Sequence, residues 1–168
     1  MKVKLYLAGP DVFRADPMGH FKEVKALCAK YGCEGWAPLD NELEVLTASS
    51  IFAANKDLID ACDVVLANLT MFRGACVDDG TSWEIGYGYA KGKACYGYID
   101  GHNATDLKMR TESLVRKHDL NMAEFPQVED FGGPVNLMLT ESIKLSGGAI
   151  CNTVEECLAA IQMRFAAQ

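Results

Sequence analysis

Val64-Val65-Leu66-Ala67-Asn68-Leu69 is the stretch that decides the fold. It is a nearly unbroken apolar run with no alternation, as expected of a strand covered on both faces. Strands of that kind belong to parallel sheets with helices above and below. Upstream, Ile51, Phe52, Asn55, Leu58, Ile59 and Cys62 recur at helical spacing, with Ser49 or Ser50 as the expected cap. Downstream, Thr81 to Lys91 predicts a helix and Ala94 to Ile99 the next strand. At the N-terminus, Lys2 to Ala8 reads as a strand stopped by Gly9-Pro10. A helix from about residue 17 carries Phe21, Val24, Leu27, Cys28 and Tyr31, and a weak strand over Glu34 to Ala37 ends at Pro38.

Residues 100 to 133 are polar and weakly periodic, with Gly101, Gly132 and Gly133 near their ends, and read as an excursion holding one helix. Beyond it come a helix over Pro134 to Leu145 and a short strand around Ala149 to Cys151. Thr153-Val154-Glu155-Glu156 reads as a capping box opening a final helix. With no repeat, linker or low-complexity tract, residues 1–168 are expected to form one α/β domain. Its architecture should be a flavodoxin-like doubly wound sandwich with a five-stranded parallel sheet.

Composition narrows the function. The chain has 168 residues, 49% of them hydrophobic, enough for one sizeable core. A net charge of −7 argues against binding nucleic acid through its phosphates. The N-terminal apolar run Leu5 to Gly9 is too short for a membrane span or a secretory segment. Seven cysteines without a C-x-x-C pair read as reduced thiols, so a cytoplasmic location is expected. His20, His102 and His118 lack zinc-site spacing, and no metal is expected.

In doubly wound sheets the ligand lies outside the carboxyl ends of the strands, at the switch point beside the first. That rule points to Gly9–Phe13, Asn68–Gly74 and Asp78–Glu84. The loop Gly9-Pro10-Asp11-Val12-Phe13 is no G-x-G-x-x-G, and Pro10 and Asp11 make it a poor phosphate cradle. Dinucleotide and flavin cofactors are therefore not expected. Asn68 stands where a phosphoacceptor domain would need Asp.

The densest constellation is Asp78-Asp79-Gly80-Thr81-Ser82-Trp83-Glu84-Ile85-Gly86-Tyr87. Its plain interpretation is a capping box, Thr81-x-x-Glu84, with acidic residues favoured near a helix N-terminus. Its chemical interpretation rests on its place at the ligand edge. A carboxylate in the first turn is held as an anion by the helix dipole, which suits a nucleophile. Asp63 and Asp78 nearby would crowd it, so that one of them carries a proton while Glu84 does not. One carboxylate that attacks a sugar and another that protonates the leaving group make a retaining glycosyl-transfer site.

These segments resemble the nucleoside 2-deoxyribosyltransferase family. The resemblance runs through Leu5-Tyr6-Leu7-Ala8-Gly9-Pro10, Ala37-Pro38-Leu39-Asp40-Asn41, Cys62-Asp63-Val64-Val65-Leu66-Ala67-Asn68, Asp78-x-Gly80-Thr81-x-x-Glu84-x-Gly86-Tyr87 and Asn136-Leu137-Met138. It implies that Glu84 attacks C1′ of a 2′-deoxynucleoside, that a deoxyribosyl ester forms, and that a second base completes a ping-pong exchange with retention. It implies that Tyr6 positions Glu84 and that Asp63 and Asp78 face the base. Asn136 would be lent by a neighbouring subunit to the sugar 5′-hydroxyl, in a homo-oligomer built from dimers, up to a hexamer. Gly9, Phe13, Asn68 and Met138 complete the expected substrate-binding set, Gly9 by close backbone approach and Phe13 by stacking or by plain loop packing. The partners implied are nucleosides and free bases. Two other readings stay open: a nucleoside 5′-monophosphate N-glycosidase, which typically has Ser where Asp78 stands, and a non-catalytic nucleotide sensor.

Overall fold

The structure is a computed structural model that describes residues 2–99, 106–118 and 127–166. Five parallel strands form one sheet: β1 (Val3–Ala8), β2 (Cys33–Trp36), β3 (Val64–Asn68), β4 (Ala94–Tyr98) and β5 (Ile150–Cys151). Their order is β2-β1-β3-β4-β5, the flavodoxin-like order expected from the sequence. Around the sheet lie α1 (Pro17–Lys30), α2 (Ala48–Ala61), α3 (Asp79–Ala90), α4 (Leu107–His118), α5 (Leu137–Leu145) and α6 (Val154–Ala166). Every residue of β3 and β4 is buried, as the apolar run requires. The one helix expected within 100–133 is α4; residues 100–105, with Gly101, and 119–126 of that excursion lie outside the described residues. Among the described residues no helix is long and apolar enough to cross a membrane.

The alternation of side chains along β1 divides the core. Leu5 and Leu7 pack with Phe21, Cys28, Leu158 and Ile161, the face covered by α1 and α6. Tyr6 and Ala8 face the other way, toward Ile59, Ile85, Leu139 and Ile143 of α2, α3 and α5. That period of two sends Tyr6 to the layer that contains Glu84. Gly88, one turn after Glu84 on α3, lets the helix lie close to the sheet: a Cβ there would stand 2.6 Å from Val65 Cγ2.

Helix starts differ from expectation where several polar residues compete to cap. Thr47, not Ser49 or Ser50, caps α2; its hydroxyl accepts from the Ser50 amide, and the Ser50 hydroxyl accepts from the Thr47 amide. Helix α5 starts at Leu137, three residues later than expected, with Asn136 as its cap. Thr153 does cap α6, but the Glu156 carboxylate reaches back to the Asn152 amide.

Candidate active site

Helix α3 begins earlier than the Thr81 box predicts. Asp78 is its cap, accepting from the Thr81 amide at 3.0 Å and from the Thr81 hydroxyl at 3.2 Å. Thr81 is thus occupied within the first turn, and Glu84 is no part of a capping box. It lies in the second turn, too far in for the helix terminus to hold it as an anion. It faces the sheet instead, where the Tyr6 hydroxyl donates to Glu84 Oε1 at 2.5 Å. Tyr6 is fully buried.

The ionisation of Glu84 departs from the expectation of a firmly anionic carboxylate. Burial pushes its pKa up to about 7; the Tyr6 hydrogen bond opposes that rise, and the nearby Asp78 charge adds to it. The Tyr6 hydroxyl is itself driven far above the ordinary phenol range, by burial first and the Glu84 charge second, so it serves as a donor only. A carboxylate that sheds its proton near neutrality and is held by one short hydrogen bond is a competent nucleophile.

A cleft of about 490 Å³ opens over this pair, a size suited to a small organic ligand. Its apolar walls come from Val12, Phe13, Leu39, Leu43, Leu46 and Ile51, and Asp78, Thr81 and Glu84 form its polar end. Gly9 also lines it. The family model described as nucleoside 2-deoxyribosyltransferase matches residues 5–138, a span that includes Tyr6, Asp78 and Glu84. The chain belongs to the nucleoside 2-deoxyribosyltransferase family.

Among solved structures the chain is similar to a 2-desoxiribosyltransferase from Leishmania mexicana, at 31% identity and TM-score 0.75 over 96% of this chain and 97% of that one. An uncharacterized protein of Schizosaccharomyces pombe is 30% identical, the match covering 87% of this chain and 79% of its own. A 2-deoxyribosyltransferase from Bacillus psychrosaccharolyticus, 20% identical with TM-score 0.53 over 84% and 82% of the two chains, shares the fold.

Not every residue singled out in the sequence arrives at the cleft of this deoxyribosyltransferase-family chain. Asp63 does not. It precedes β3, at the amino end of a parallel sheet, and its carboxylate accepts from the Lys4 amide at 2.8 Å at the edge opposite the cleft. Asn68 ends β3 at the right edge but is buried and committed elsewhere: it donates to both oxygens of Asp11 and accepts from the Thr70 amide. Asn136 caps α5 through the Met138 amide and donates to Glu129 at 2.6 Å. It lines a separate pocket of about 230 Å³ with Asp79 and Ser82, on the far side of the first turn of α3. Met138 is exposed. Phe13 is 60% exposed at the cleft rim and stacks on Phe72 at 5.3 Å between centroids, with the Arg73 guanidinium over both rings.

Two polar residues of the cleft, Asn41 and Asn55, had no role assigned from the sequence. Asn41 donates to the Pro38 carbonyl at 3.1 Å and to Asn55 Oδ1 at 3.5 Å, which places two amides on the wall. Asn41 stands in the segment after β2 quoted for the resemblance, so its position was marked although its role was not. Asn55 falls at helical spacing within an apolar stripe and gives no polar signal.

Proposed function

We propose that the protein exchanges the base of 2′-deoxynucleosides through a covalent deoxyribosyl ester on Glu84. The contact that carries this reading is the 2.5 Å hydrogen bond from Tyr6 to Glu84 Oε1 beneath the cleft. Tyr6 fixes one carboxylate oxygen and leaves Oε2 for attack. In the first half-reaction the Glu84–C1′ bond forms and the C1′–N bond breaks, its electron pair going to the departing base, which takes up a proton from solvent. Asp78, the other carboxylate on the cleft wall, is assigned to the base nitrogen that gains that proton. In the second half-reaction a different base attacks C1′ from the face the first one left, the Glu84–C1′ bond breaks to free the carboxylate, the new base sheds its N–H proton to solvent, and two inversions give net retention. The apolar walls favour flat, neutral bases, and the Asp78 charge disfavours a 5′-phosphate. Asn136, outside the cleft of its own chain, is assigned to the sugar of a neighbouring copy.

The test is a chromatographic product assay with 2′-deoxyinosine and either adenine or cytosine. A further arm holds a nucleoside 5′-monophosphate and no acceptor. Formation of 2′-deoxyadenosine is expected. Free base released only from the monophosphate would replace this reading with hydrolysis.

A further inference from the structure

Asp11 is a buried carboxylate that the proposed chemistry does not use. It lies 4% exposed in the loop after β1, two residues before Phe13. Its Oδ1 accepts from Arg14 Nε at 2.6 Å, and both its oxygens accept from the Asn68 amide, at 3.1 and 3.0 Å. His20 Nε2 stands 3.2 Å from Oδ1. Isolating a carboxylate from water is expensive unless its lone pairs are taken up, and here Asn68 at the end of β3 and Arg14 just after the loop do so. Gly9 makes the arrangement sterically possible. Its backbone has φ +148, and a Cβ would stand 2.8 Å from Asn68 Cβ and 2.9 Å from Asp11 Oδ2.

We infer that Asp11 is the positioning residue of the cleft's β1 wall. Its clamp on Asn68 pins the loop to the end of β3, so that Gly9, Val12 and Phe13 are held against the ligand. This gives Asn68 its role: it acts on the ligand only through Asp11. The inference rests on the base-exchange reading for its choice of ligand. It predicts a binding defect, not a chemical one, because Glu84 and Tyr6 are positioned by α3 and β1 themselves.

The test compares D11N, N68D and the double exchange D11N/N68D. In D11N an amide faces an amide; in N68D a carboxylate faces a carboxylate. The double exchange restores one amide and one carboxylate and lets the pair bond again. For each single variant the KM for 2′-deoxyinosine and for adenine should rise about tenfold, with kcat within about threefold and the pH midpoint unmoved. The double exchange should recover most of that loss. Calorimetric binding of 2′-deoxyinosine to the same variants in an E84Q background reads the wall without turnover and should weaken in step. The inference is overturned if KM and binding stay within about twofold of the parent, or if kcat falls while KM holds, or if the double exchange is no better than the singles. Failure of the wild-type protein to exchange bases or of E84Q to bind deoxynucleoside would instead remove the reading beneath it.

Discussion

Two tyrosine–carboxylate hydrogen bonds flank α3, and they behave oppositely. At one, Tyr6 donates to Glu84 at 2.5 Å in a desolvated setting with no cation paired to the carboxylate among the described residues, and the carboxyl pKa climbs to about 7. At the other, Tyr87 donates to Asp60 at 2.9 Å, while Lys56 and Lys91 stand 2.7 and 3.0 Å from the same carboxylate. There the two lysines, with the tyrosine third, hold Asp60 well below the usual carboxylate range. The tyrosine stabilises the anion in both pairs. What separates them is water and countercharge: one carboxylate is locked as an anion, the other is poised to change state.

The comparison breaks most sharply at Glu84. E84Q keeps the shape and loses the carboxylate proposed as nucleophile, so exchange should fall by at least about 10³-fold in the product assay. The same substitution should stabilise the fold above neutrality. A folded-state pKa near 7 against an ordinary 4.5 means that the neutral form favours folding below pH 4.5 and that this contribution is lost as pH rises through 7. Removing the ionisation is worth on the order of 1–3 kcal/mol at pH 8, measurable by urea unfolding of both proteins at pH 5 and pH 8. A variant no more stable than wild type at pH 8 would contradict the raised pKa.

Y6F should cost about 10- to 100-fold in kcat by loosening the carboxylate. Because the Tyr6 bond lowers the Glu84 pKa, its loss should also move the rise of kcat/KM with pH from about 7 toward alkali. A lower rate with an unmoved midpoint would make Tyr6 a packing residue. D78N, which can still cap α3, removes a neighbouring negative charge and should move the midpoint toward acid by a smaller amount. Smallest of all, D60N should leave exchange unaltered and lower Tm by only about 1–3 °C, a change that high salt erases.

How far the sequence reached depended on whether one pattern or several competing ones governed a segment. The β3 run admitted a single reading, and the alternation of five strands with helices around it pointed to the doubly wound order. Glu84 stood out because its position at the ligand edge, and then the family resemblance, outweighed its spacing from Thr81; the structure places it on the cleft wall. The spacing itself misled, since Asp78 lies three residues before Thr81 and takes the cap first. Asp63 was assigned to the base by the resemblance alone, against its place just before β3. A residue just before a parallel strand stands at the edge of the sheet away from the ligand, and its carboxylate serves the Lys4 amide. The ionisation of Glu84 was illegible because burial is a property of the packed layer and not of the helix alone.

Gly88 gives that layer a mechanical reading. The hydrogen bond beneath the cleft spans a helix and a strand, so its length is a clearance set by how closely α3 seats on β3. One hydrogen in place of a methyl at Gly88 sets the seating, 2.6 Å being the room a methyl would find before Val65. G88A is therefore a shim: a methyl set against Val65 one turn from Glu84, which should lengthen the Tyr6–Glu84 hydrogen bond without touching either residue. The thickness of the sandwich is thus part of the geometry of the cleft floor.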